Sequence, residues 1–219
     1  MPGATVTEEL ELTHGRGGGN GAGLSDGGGD GGGEGARLPA VPQRAYVTGM
    51  TVALGGILMF FMALTSAYIV RKGISLDWRP FTLPKILWLN TAILLLSSAT
   101  VSRSRRFLAR GDFEAFRHWW SVTSALGLMF LAGQVIAWQQ LRAAGVYLAS
   151  NPSSSFFYLL TAAHGLHLLG GIVALLYIAF RSARMKHLTL GTASEVVSIY
   201  WHFMDGLWVF LLLLLYLGR

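Results

Sequence analysis

The last long apolar run of the chain, "SEVVSIYWHFMDGLWVFLLLLLYL" from Ser194 to Leu217, reads as a membrane span that holds Glu195, His202 and Asp205. Hydrocarbon solvates none of these groups, so a chain that places them there must shield them or use them. On a helix turning about 100° per residue, His202 falls about 20° from Glu195, Ser198 about 60° and Asp205 about 80°. The four polar residues therefore share one helix face.

The composition agrees with a membrane reading. Of the 219 residues, 53% are hydrophobic and 13% are charged, and the mean hydropathy is +0.49. Soluble domains carry about 25% charged residues. A globule of this size could not hide so much apolar surface, which predicts a polytopic, all-α membrane helix bundle. Four further apolar runs precede the last: Tyr46–Val70, Pro84–Ser102, Trp119–Leu141 and Ser155–Phe180. A span needs about 20 residues to cross a core of about 30 Å. All five runs qualify, giving five transmembrane helices within a domain of residues 44–219.

Residues 1–43 differ in kind. Between Gly15 and Gly35, 13 of 21 residues are glycine, and the remainder are mostly polar. Such a segment buries nothing and is expected to be a disordered tail. It shows neither a cleavable signal pattern nor the strict nonapeptide period of a calcium-binding repeat. The chain has no cysteine, which removes disulfides, thiolate metal sites and a cysteine nucleophile. Its sequence pI is near 10.0, yet the basic residues lie mainly between apolar runs. They act as topology signals rather than a nucleic-acid surface.

Counting Lys and Arg on alternate sides gives the orientation. Eleven fall on the side of Arg44, "RSRR" (Arg103–Arg106) and Arg181; six fall with Arg71, Lys72 and Arg142. The N-terminus is therefore expected in the cytoplasm and the C-terminus outside. "FEAFRHWW" (Phe113–Trp120) reads as an aromatic belt at the membrane interface.

The fourth run repeats the polar pattern of the fifth. In "TAAHGLHLLGG", Thr161, His164, His167 and Gly171 form one stripe. In an antiparallel register His167 is level with His202, and His164 with Asp205. The expectation is a polar seam between helices four and five, with Gly165, Gly170 and Gly171 allowing close approach. Asn90 and Gln134 are expected to hydrogen-bond between helices.

Several chemistries use such residues. Haem ligation needs two facing imidazoles and room for the macrocycle, but two of the three histidines inside the spans lie on one stripe beside glycines. A carboxylate-bridged metal site draws more acids from more helices than His164, His167, Glu195 and Asp205 supply. A proton wire needs ionisable groups along the whole path, and the first three helices offer almost none. The residues themselves favour a structural seam that fixes helix packing and contacts lipid or another subunit. They point to no catalytic, cofactor-binding or metal site.

Three stretches also carry a family resemblance. "FFYLLTAAHGLHLLGGIVAL" (Phe156–Leu175), "SEVVSIYWHFMDGLWVFLLLLLY" (Ser194–Tyr216) and "MFFMALTSAYIV" (Met59–Val70) resemble, in order, segments of subunit III of haem-copper oxidases. The likeness covers about residues 44–217. It implies a short five-helix subunit III of a cytochrome c oxidase that binds no haem or copper itself. Haem and copper would reside in partner subunits, with oxygen reduction and proton pumping centred on subunit I. Subunits I and II and phospholipid would be its partners, in a bacterial-type inner (plasma) membrane. One departure stands out. Many members of that family have a carboxylate two residues before "MFF", where this chain has Ile57; Gly55 and Gly56 suggest close helix packing there instead. Subunit III of a quinol oxidase and an accessory protein of a nitric oxide reductase share the pattern. A stand-alone small transporter is the remaining alternative, and no internal repeat supports it.

Overall fold

The computed structural model describes residues 43–74, 84–147 and 151–218, and the glycine-rich segment lies outside them. It contains five long helices: α1 (Gln43–Ile74), α2 (Ile86–Ala109), α3 (Phe113–Ala143), α4 (Pro152–Arg181) and α5 (His187–Leu217). A 3-10 turn, Ser182–Arg184, precedes α5. All five are long and apolar enough to cross a membrane.

Each helix outruns its apolar stretch at one or both ends. The "RSRR" arginines belong to the last turns of α2, and α5 begins at His187, seven residues before Ser194. Charge ends the hydrophobic signal but not the helix, because an arginine on a helix beyond the hydrocarbon keeps its backbone bonds and solvates its head. Local chemistry ends the helices. Gly111 and Gly145 close α2 and α3 at φ values of 77° and 78°, the left-handed conformation that glycine adopts without steric cost. Asp112 then caps α3 by accepting from the backbone N–H of Ala115 at 2.9 Å, and Pro152 opens α4 at a position where no N–H is needed.

The three-residue link at Arg110–Asp112 makes α2 and α3 an antiparallel hairpin, the most extensively paired helices of the chain. Thr100 and Thr123 hydroxyls bond across it at 2.8 Å, and Ser104 donates to the Phe116 carbonyl at 2.9 Å. α4 and α5 pack on this hairpin. α1 lies against α4 and α5 through one stripe, Leu54, Phe61, Thr65 and Tyr68, spaced as successive turns of one face. Gly55 and Gly56 lie off that stripe with open space where a side chain would project. The close packing expected of them is absent, because α1 presents its bulky face to the bundle.

The aromatic stretch that opens α3 also differs from its expected interfacial role. Phe116 and Trp120 are fully buried, and the Trp120 indole donates to the Leu175 carbonyl of α4 at 2.9 Å. Trp119 stays half-buried, with the Arg103 guanidinium 4.7 Å from its ring centre, close enough for cation–π attraction. The stretch is helical, so successive rings point in different directions and only some reach the exterior.

Small residues decide how near the helices come. A Cβ on Gly127 would sit 2.8 Å from Trp201, and one on Gly171 would sit 2.9 Å from Tyr200. Gly165 and Gly170 face open space; of the three α4 glycines expected to permit close approach, Gly171 alone does. Replacing Gly127 or Gly171 with Val should lower stability by about 1–3 kcal/mol through overpacking. Gly170→Ala should be neutral or stabilising by up to about 1 kcal/mol, since alanine is the better helix former. Unfolding in mixed detergent would measure both, and equal losses at Gly171 and Gly170 would contradict the packing described.

Candidate functional site: a polar seam between α2 and α5

The polar face of α5 meets α2. His202 hydrogen-bonds two serines one turn apart on α2: Nδ1 to Ser98 Oγ at 2.6 Å and Nε2 to Ser102 Oγ at 3.0 Å. A neutral imidazole has one donor and one acceptor, so one hydroxyl donates to the ring and the other accepts. The ring lies at the bundle surface, but both nitrogens are engaged. Toward one end of the seam Arg105 and Glu195 approach to 4.0 Å. Both side chains are about a third exposed, so their attraction depends on what surrounds them and contributes modestly.

Two buried tryptophans flank this line. Trp201 Nε1 donates to Ser97 Oγ at 2.9 Å, and Trp208 Nε1 donates to Thr91 Oγ1 at 3.0 Å. Residue numbers fall on α2 as they rise on α5, so the two helices run antiparallel. Asp205 is buried on α5 beside Ser98 of α2, the serine whose hydroxyl also meets His202. Ser198 is buried likewise, with its hydroxyl unpaired.

α4 supplies a different set of contacts. His164 is fully buried, with Trp208 and Phe130 rings at 5.1 and 6.1 Å. His167 donates from Nδ1 to the Ala163 carbonyl at 2.8 Å, and its ring meets Phe61 of α1 at 5.5 Å. The Tyr200 hydroxyl donates to the His167 carbonyl at 2.7 Å. Helices α4 and α5 thus pack near the expected register, but through Gly171, Tyr200, Trp201 and Trp208. The expected pairing of His167 with His202 and of His164 with Asp205 is replaced. His202 turns to α2, and His167 sits between α4 and α1. Thr161 accepts from Trp138 Nε1 at 3.2 Å. Asn90 packs against Gly133 of α3, but its amide nitrogen and both amide atoms of Gln134 lack the interhelical bonds expected of them.

Sequence reading missed the α2 partners Thr91, Ser97, Ser98 and Ser102. Thr91, Ser98, Ser102 and Arg105 are spaced by seven, four and three residues, a one-face stripe like that of α5. The signal is weak because hydroxyl residues in helices also satisfy themselves locally. Thr91 donates to the Leu87 carbonyl and Ser97 to that of Leu94, at 2.8 and 2.6 Å.

His164, His167 and His202 do not converge on one point. His202 engages both nitrogens with serines, His167 commits Nδ1 to a carbonyl, and His164 is packed among aromatic rings. Among the described residues no three His, Asp or Glu side chains converge as a metal-holding group. The arrangement joins helices.

A double-mutant cycle on Ser98 and His202 should give a coupling of about 0.6–1.7 kcal/mol, the size of interhelical hydrogen bonds in membranes. The same cycle on His164 and Asp205 should give coupling near zero. Unfolding titrations of the single and double alanine variants would read both, and the reverse ranking would restore the α4–α5 seam.

Comparison with known proteins places these features in one family. The family model described as cytochrome c oxidase subunit III matches residues 42–218. A probable cytochrome c oxidase subunit 3 of Mycobacterium tuberculosis is 35% identical over 176 residues, covering 78% of this chain and 87% of that protein. A cytochrome c oxidase subunit 3 of Thermostichus vulcanus is 34% identical over 176 residues, covering 78% and 86%. The corresponding protein of Synechocystis is 32% identical over 163 residues, covering 72% and 69%. With nearly the whole described bundle inside the match, the chain belongs to the cytochrome c oxidase subunit III family.

Proposed function

We propose that this chain is the non-catalytic subunit III of an aerobic respiratory cytochrome c oxidase, acting as a structural and lipid-holding element beside subunits I and II. Reduction of oxygen at haem and copper, and the coupled movement of protons, belong to those partners. The observation that carries this reading is the engagement of polar side chains along the α2–α5 seam. His202, Ser98, Ser102, Trp201 and Trp208 all bond to a neighbouring helix, as residues that hold a scaffold do.

An apolar groove of about 300 Å³ between α1 and α5, lined by Leu58, Met62, Phe203, Gly206, Leu207 and Phe210, supports a lipid role, since an acyl chain matches its chemistry. The basic residues at the α2–α3 turn, Arg103, Arg106, Arg110 and Arg117, support a cytoplasmic N-terminus and an external C-terminus in a bacterial plasma membrane. The names of the relatives favour cytochrome c over quinol as the electron donor of the complex. With Ile57 at the position where an acid is usual, this chain contributes no carboxyl group there to proton uptake.

Affinity purification of the C-terminally tagged chain from native membranes in mild detergent is the decisive test. The expected result is stoichiometric recovery of a haem-bearing partner that consumes oxygen with reduced cytochrome c. His202→Ala should reduce co-purified partner or phospholipid and leave the haem spectrum of the remaining complex unchanged. Loss of a haem band from complexes that still contain every other subunit would refute the non-catalytic reading. A colourless protein that stays alone in several mild detergents would refute the complex.

A further inference from the structure

Three buried side chains on three helices carry polar atoms without hydrogen-bond partners among the described residues, at one level of the bundle. Asn90 of α2, Gln134 of α3 and His164 of α4 are 1%, 3% and 0% exposed. Among the described residues, no hydrogen-bonding group meets Asn90 Nδ2, Gln134 Nε2 and Oε1, or His164 Nδ1 and Nε2.

The contacts around them fix their common level. Asn90 packs against Gly133, the residue before Gln134. One turn along α3 from Gln134, Phe130 meets His164 at 6.1 Å. One turn the other way, Trp138 bonds Thr161, itself one turn from His164 on α4. Gln134 is therefore bracketed by two contacts between α3 and α4 and adjoins the contact with α2. Trp208 closes the layer from α5, with Phe130 at 4.9 Å and His164 at 5.1 Å.

The chemistry of the orphaned atoms narrows what meets them. Two amide groups and a neutral imidazole offer both donors and acceptors. A metal ion would gain nothing from amide N–H groups, and an apolar molecule would leave every polar atom unpaired. A molecule that both donates and accepts, and is small enough to lie between packed side chains, satisfies the set. Buried polar groups without protein partners are ordinarily met in this way, by water making about three hydrogen bonds. We infer that Asn90, Gln134 and His164 form an internal water-binding site that links α2, α3 and α4 through bound water rather than by direct side-chain bonds. The Phe130 and Trp208 rings form its apolar walls. This site adjoins the α2–α5 seam at Trp208, whose indole bonds Thr91, and does not depend on which oxidase the subunit serves.

The test is pulsed X-ray radiolysis of the purified protein, with its co-purifying subunits, in lipid nanodiscs and ¹⁸O-labelled water. Hydroxyl radicals formed from bound water oxidise the nearest side chains. Phe130 and Trp208 should be labelled several-fold faster than Phe116 and Trp120, which are the same residue types and equally buried but lie away from the orphaned groups. Gln134→Met should suppress labelling of Phe130 and Trp208 and leave Phe116 and Trp120 unchanged. Equal labelling of the two ring pairs in the wild-type protein would show a dry layer and overturn the inference, as would unchanged labelling in a folded Gln134→Met variant. The wild-type comparison stands by itself if that variant does not fold.

Discussion

A polar group inside hydrocarbon has no bulk water to fall back on, so it needs a partner from the protein or from water held within it. In this chain that constraint is met chiefly along α2 and α5. His202 lies near the middle of α5, eight residues into the apolar run that begins at Ser194. It is accommodated because α2 presents Ser98 and Ser102 one turn apart, each opposite one ring nitrogen. The same helix receives the indole N–H groups of Trp201 and Trp208. Serine and threonine suit this task, since each is small enough to let two backbones approach and carries both a donor and an acceptor.

The seam in turn sets the packing elsewhere. Bonding Trp201 to Ser97 carries its ring over Gly127, where a larger residue would not fit. Placing Trp208 against Thr91 brings it beside Phe130 and His164, which joins α5 to α3 and α4. Trp120 does the same between α3 and α4 from the opposite end. Three fully buried tryptophans thus act as wide apolar bodies with one polar handle each. α1 has no part in this network of indole bonds and joins the others mainly by apolar and aromatic contacts, in keeping with its peripheral place.

A side chain held by two hydrogen bonds in a packed seam is poorly placed for chemistry that needs a free lone pair or an open coordination position. That is the physical support for the non-catalytic role proposed for this chain. Polar residues in the spans need no catalytic explanation once their partners are known. The polar atoms without hydrogen bonds among the described residues, in the layer around Gln134, mark where the interior requires more than side-chain packing to be satisfied.

Much of this was legible in the sequence. Hydropathy and length determined the number of helices. The motifs around His164 and His202 pointed to the family, and the one-face spacing of Glu195, Ser198, His202 and Asp205 marked a polar seam. What that seam faces was decided only by tertiary structure. Depth along a helix follows from counting residues, but rotation about its axis depends on every neighbour it packs against. The expected register of α4 and α5 therefore came close, while His202 turned toward serines that look, in sequence, like ordinary self-bonded helix residues. Likewise Gly165, Gly170 and Gly171 are indistinguishable as letters. The packing of Tyr200 and Trp201 makes Gly171 the one that cannot be larger, because a side chain's cost depends on what occupies the space it would enter.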